Sequence, residues 1–261
     1  MRLLLAALLL TLSACGTPPE PQTEADAGVE PDAGLEADAG LPPPQCAKAQ
    51  VPCEDEVIQQ LSLQKTVAPG LISSTPEGTG FAVHVDATAG GFNANPPHAF
   101  VYAKFTASGL QKVELDDEKA LESMDWDIAF RRYLVRINSG NSGPSCVSAF
   151  RLPGTPPYES VKEVPETVSW NSDLYFTDTC EMIVDGTGLG SPNLVLSGYW
   201  SYPGCVKMTG NVYLLKLRDG RVVKLTVTSF YSPETQPRCQ TNNQPGSESG
   251  NLRLRYQFLA Q

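Results

Sequence analysis

His84 and His98 are the two histidines of this 261-residue chain, and they are its best nitrogen donors for a metal. His84 stands between Val83 and Val85 in an alternating stretch; His98 follows Asn95-Pro96-Pro97. Met124, Met182 and Met208 offer thioethers, which more often fill cores than hold metals. Nucleophilic catalysis needs a base aimed at a hydroxyl or thiol, and neither histidine stands in a triad-like context; G-x-S-x-G, H-E-x-x-H and Walker loops are missing. The loop Gly186-Thr-Gly-Leu-Gly190 lacks G-x-G-x-x-G spacing. The carboxylates at Asp116-Asp117-Glu118 and at Asp178, Glu181 and Asp185 lack the calcium-loop pattern and read as a solvated acidic face. An enzyme is not expected. Among seven cysteines no C-x-x-C pair occurs, which makes a zinc site a weak reading.

Position along the chain sorts the cysteines. Residues 3–12 (LLLAALLLTL) follow Arg2 as a ten-residue apolar run, too short to span a bilayer but right for a signal-peptide core. Leu12-Ser13-Ala14-Cys15 comes next and looks like the lipobox of bacterial lipoproteins, in which the thiol takes a diacylglyceryl group. Residues 1–14 are then the signal peptide, and Cys15 is the lipid-attachment residue; acylation of its new amino group adds the further chain that stable membrane anchoring requires. Gly16, where an Asp would favour retention at the inner membrane, points to the outer membrane and the cell surface. Residues 15–45 form a disordered tether, rich in Pro and in short D-A-G repeats, with seven acids and no base. Its roughly 30 residues reach about 30 Å on average. Most of the net charge of −10 belongs to it, because residues 46–261 carry 18 bases against 22 acids. Export and lipidation, more than charge, argue against a nucleic-acid partner.

The remaining residues, 46–261, read as one all-β domain, a single antiparallel β-sheet-rich unit with at most one short helix. Strands are expected at residues 80–86, 99–106, 110–115, 126–138, 194–200, 211–218, 221–230 and 252–259, where Val, Leu, Tyr and Phe alternate with other residues between Gly, Pro, Asn and Ser clusters. Residues 116–124 (DDEKALESM) read as the helix. Asp219-Gly220 predicts a two-residue type I′ turn with positive φ at both positions. Cys46, Cys53, Cys146, Cys180, Cys205 and Cys239 make an even set that predicts three disulfides, with fifteen connectivities open from the sequence alone. If Arg218 faces Arg221, the hairpin register carries Cys205 toward Cys239. Cys46 with Cys53 would close a short loop at the tether exit and leave Cys146 for Cys180.

The segment Asp125-Trp126-Asp127-Ile128-Ala129-Phe130-Arg131-Arg132-Tyr133, continuing through Ile137-Asn138-Ser139-Gly140-Asn141-Ser142-Gly143, resembles the W-D-[IL]-A-F…N-S-G-x-S-G stretch of the HmuY-like family of bacterial haemophore lipoproteins. Residues 212–231 (VYLLKLRDGRVVKLTVTSFY) are similar to that family's strand–turn–strand pattern, and residues 252–258 to its closing strand. The resemblance implies an all-β, lipid-anchored surface protein whose best-known members bind haem between two axial side chains and deliver it to an outer-membrane receptor. On that basis His84 and His98 are the candidate haem ligands, although neither aligns with a family ligand. The alternative is a non-haem β-sheet surface lipoprotein that makes protein or polymer contacts in the envelope. Within the W-D-x-A-F segment, alternation predicts Trp126, Ile128 and Phe130 in the core and Asp127, Ala129 and Arg131 toward solvent or a partner strand. Arg131, Arg132 and Arg136 are expected to pair with Asp125 and Asp127 and so orient the loop at residues 138–143.

Overall fold

Alternation at period two becomes antiparallel strands, and the helices sit at their margins. The computed structural model describes residues 46–88 and 98–260, which fall in one compact unit, Pro42–Gln261. The signal peptide, Cys15 and the tether through residue 45 lie outside the described residues. The first elements are α1 (Glu54–Gln60), β1 (Ile72–Glu77), β2 (Gly80–Asp86), β3 (Val101–Thr106), β4 (Gly109–Val113), α2 (Asp117–Ala120), β5 (Ile128–Arg131) and β6 (Leu134–Ile137). They are followed by β7 (Ser148–Arg151), β8 (Trp200–Ser201), β9 (Lys207–Met208), β10 (Val212–Lys216), β11 (Val222–Ser229), α3 (Gln236–Asn242) and β12 (Asn251–Phe258).

A six-stranded sheet runs β1-β2-β12-β11-β10-β7, a four-stranded sheet runs β4-β3-β5-β6, and β8 pairs with β9. The two larger sheets share one core: Val83, Val85, Leu225 and Leu254 of the first are buried in the same cluster as Val101, Phe105, Ile128 and Phe130 of the second. Their edge strands meet at Ser74 of β1, whose Oγ accepts the Leu110 N–H at 2.9 Å and donates to the Leu110 carbonyl at 3.3 Å. A side chain thus occupies edge groups of β4 that would otherwise invite another strand.

The W-D-x-A-F segment departs from the expected one-sided burial. Trp126, Asp127, Ile128, Ala129 and Phe130 are all buried. Ile128 and Phe130 enter the core between the sheets, while Trp126 and Ala129 pack in a second cluster with Val57 and Leu61 at α1 and Leu121 after α2. Each large apolar side chain so buried contributes about 1.5–3 kcal/mol, which favours covering the second face over leaving it wet. The expected single run at residues 126–138 is a hairpin, turned at Arg132 with φ 52°.

Other local expectations are corrected in the same way. Three short helices form instead of one at most. The expected helix at residues 116–124 keeps only Asp117–Ala120; Asp116 caps it by accepting the Lys119 N–H at 2.9 Å, and the Trp126 indole takes the Ala120 carbonyl at 2.9 Å. The expected strand at residues 194–200 is a 3-10 turn, Ser197–Tyr199, leading into β8, because the Gly198 carbonyl bonds the Thr209 and Asn211 side chains rather than a ladder. At the β10–β11 hairpin Leu217 faces Arg221, and among Arg218, Asp219 and Gly220 only Gly220 has positive φ, 85°. That is a three-residue loop closed by a left-handed glycine, one position off the expected register.

Of the expected disulfides Cys205–Cys239 forms, and the other two are exchanged for Cys46–Cys146 and Cys53–Cys180. The segment between Cys46 and Cys53 does not close on itself. It runs along the 141–146 loop, with the Ala49 N–H on the Pro144 carbonyl at 2.8 Å and Asn141 Nδ2 on the Pro52 carbonyl at 2.8 Å, and each cysteine meets the partner beside it.

Candidate functional site

The sequence motif builds a buried polar network. Arg136 is fully buried; its guanidinium donates to Tyr102 Oη (3.3 Å), Ser142 Oγ (3.3 Å) and the Ser142 carbonyl (2.7 Å), and lies 4.6 Å from the centre of the Phe100 ring. On one side Tyr102 donates to Asp117 at 2.9 Å. On the other, Ser142 donates to Asp173 at 2.8 Å. Asp117 also accepts the Phe100 and Gln64 N–H groups, and Asp173 those of Ile137 and Val195. Burial pushes the Asp173 carboxyl up to about 6, against the pull of those donors and of Arg136. Burial opposes the charge of Arg136, yet Tyr102, Tyr175, Asp117 and Asp173 together hold it above its ordinary value.

The N-S-G repeat is shaped by this network. Asn138 donates to the Ser123 and Trp126 carbonyls and accepts the Ser145 N–H, while Asn141 accepts from Tyr175 and Phe176. A Cβ on Gly143 would stand 2.2 Å from Asn138 Oδ1 and 2.8 Å from the Trp126 ring, so only glycine fits there. The expected pairing of Arg131, Arg132 and Arg136 with Asp125 and Asp127 does not occur. Arg131 bonds the Leu61 carbonyl, Arg132 bonds Ser249, Asp127 accepts the Phe105 N–H, and Asp125 lies 3.8 Å from Arg218 instead. Burial pushes Asp127 up to about 6.

Among the hollows open to ligands in the described residues are one beside His84 and one beside Arg151. The first, of 270 Å³, lies over β1, β2 and β12 and is lined by Ser73, Thr75, Glu77, His84, Arg253 and Arg255, among others. His84 is half-buried, its Nε2 lies 2.6 Å from Asn251 Oδ1, and Arg253 stands directly across from it in register. The Nε of Arg253 is buried without a partner. Farther along the same face Tyr158 sits between Lys224 and Arg255, at 4.3 and 4.6 Å from the ring centre, and closes that part off. The second hollow, a groove of 710 Å³, runs along β7 and β10 and includes Arg151, Trp170, Leu174, Asp185, Asn193 and Tyr213.

Comparison with known proteins matches residues 97–244, more than half of the chain, to the HmuY protein family. The chain belongs to the HmuY family. The stretch matched to HmuY contains the W-D-x-A-F segment, the N-S-G repeat and the β10–β11 hairpin, and ends before β12. No curated protein matches the chain. Among solved structures it is similar to a Bacteroides vulgatus ATCC 8482 protein described as HmuY-like and haem-binding, with 17% identity over 75% of this chain and 99% of that one and a TM-score of 0.46. A Bacteroides fragilis NCTC 9343 protein described as a lipoprotein is 16% identical over 72% and 94% of the two chains, with a TM-score of 0.42. The apo HmuY analogue of Tannerella forsythia is 15% identical over 75% and 99%, with a TM-score of 0.39.

The structure does not bring the two histidines of this HmuY-family chain into one described site. His98 is exposed beside residues 89–97, which lie outside the described residues, and it does not line the His84 hollow. Met208 is core, while Met182 packs half-buried against the second cluster. Haem is the group that the HmuY resemblance implies, and the His84 hollow offers it one imidazole nitrogen with Arg253 beside it, while Arg255 is already paired with Glu77 and Glu159. Among the described residues no helix is long and apolar enough to cross a membrane. Asp173, Arg151 and Trp170 escaped the sequence reading because none lies in a spaced motif; they meet their neighbours only through the fold.

Proposed function

We propose that this protein is a lipoprotein of the bacterial outer membrane that binds haem outside the cell and passes it to an outer-membrane uptake receptor. HmuY-family membership supports the reading, as do the apolar run at residues 3–12 and the lipobox-like Leu12-Ser13-Ala14-Cys15. The observation that carries it is His84, a half-buried imidazole held by the neutral Asn251 on an open sheet face with Arg253 opposite. Bound haem would supply an iron and two propionates. His84 would give its nitrogen to the metal once Asn251 releases it, and the guanidinium of Arg253, which lines the same hollow, would hold a carboxylate. Arg255, anchored by Glu77 and Glu159, sets the rim.

One observation favours the second reading, a haem-free surface lipoprotein that makes protein or polymer contacts. The His84 hollow is small and polar, and no second histidine or methionine lines it. Titration of the disulfide-intact protein with hemin separates the two. A sharp, shifted Soret band that is lost in His84→Ala is expected for the carrier. A spectrum matching free hemin at micromolar protein would leave the haem-free reading standing.

A further inference from the structure

The sheet face around His84 carries accessible donors that the fold does not use. Register sets Ser73, His84 and Arg253 side by side on β1, β2 and β12, and Thr75, Ala82 and Arg255 in the next row on the same face. Neighbours in a row stand about 4.8 Å apart, and the two rows about 7 Å. All six line the hollow, and Ala82 adds only a methyl group to it. Ser73 and Thr75 are exposed, and among the described residues neither hydroxyl has a hydrogen-bond partner. Thr226, across from Arg255, and Thr228, in the hollow, differ: their hydroxyls donate to the Asn211 and Arg253 carbonyls.

The two arginines divide in the same way. Arg255 is committed to Glu77 and Glu159, whereas the half-buried Arg253 forms no ion pair among the described residues and only pulls on the exposed Glu234. Glu77 is the one carboxylate in the lining. One uncommitted guanidinium flanked by two uncommitted hydroxyls suits a single carboxylate, which accepts from several donors at once. A second carboxylate would find no free cation there and would meet Glu77. We infer that the hollow selects its tetrapyrrole by one free carboxylate, bound by Arg253 with Ser73 and Thr75, while the other carboxylate stays in solvent. This rests on haem binding at His84, and it narrows the ligand class to iron tetrapyrroles that keep at least one unesterified propionate.

Absorbance titration of the disulfide-intact protein with hemin, its monomethyl ester and its dimethyl ester tests this. Hemin and the monoester are expected to bind within about threefold of each other, and the diester about tenfold more weakly. All three should give the same shifted Soret band, since the axial nitrogen is unchanged. Arg253→Gln should weaken hemin about tenfold and close its gap to the diester. Ser73→Ala and Thr75→Ala, at exposed positions, should each weaken hemin about threefold while the diester affinity and the urea midpoint stay at wild-type values. A spectrum matching free hemin, or a shifted band that survives His84→Ala, would overturn the haem reading and this inference together. Hemin binding matched by the diester, a monoester as weak as the diester, or wild-type hemin affinity in all three variants would overturn this inference alone.

Discussion

Around Arg136 the polar groups are all matched, whereas at the two hollows they are not. Asp117, Asp173, Asn138 and Asn141 each use both ends of their side chains on backbone or hydroxyl partners. By contrast Asp185 Oδ2 and Arg253 Nε are buried without partners, one in the groove and one at the His84 hollow. Buried polar groups are normally paired, and an unpaired one costs about 1–3 kcal/mol. The motif that marks the family is therefore scaffold: it holds the N-S-G loop to the segment around Asp173. The residues open to ligands lie where no motif runs.

Breaking the matched region should have the largest effect. Arg136→Ala strands Tyr102, Ser142 and two carboxylates, and about 3–5 kcal/mol of stability should be lost in urea unfolding; a loss below about 1 kcal/mol would erase the contrast between the regions. Next comes the pH response of Asp173. Its folded value of about 6 lies above an unfolded value near 4, so its contribution is complete below about pH 4 and declines as the pH rises through 6. Relative to Asp173→Asn, the wild type should lose about 2–3 kcal/mol between pH 4 and pH 7, read from urea midpoints; parallel curves would show that the carboxyl is not held in the neutral form. The smallest effect belongs to the groove, where Asp185→Asn and Arg151→Gln should change stability by no more than about 0.5 kcal/mol. A larger loss there would make the groove scaffold as well.

Much of the β class was legible because a strand writes its faces into the sequence at period two: residues 80–86 form β2 at the expected positions. Reading failed where both faces are covered. Ala129 looked outward-facing by alternation, but the second cluster at α1 and α2 buries that side too, and Asp127 is buried where it accepts the Phe105 N–H. It failed again at residues 194–200, where side chains rather than a ladder take up the backbone. His84 was visible as a donor, yet its hollow was not, since Arg253 reaches it from a strand 169 positions later.

Sequence alone determined what depends on nearest neighbours: the alternating strands, the glycine that turns the β10–β11 hairpin, and the even set of cysteines in the domain. Tertiary structure alone decided the partners of Cys46 and Cys53, what Arg136 faces, and which polar atoms stay bare. Those outcomes join residues far apart in the chain, such as Ser142 with Asp173 and Cys53 with Cys180. Local pattern cannot rank such partners, because each is chosen by the burial of everything around it.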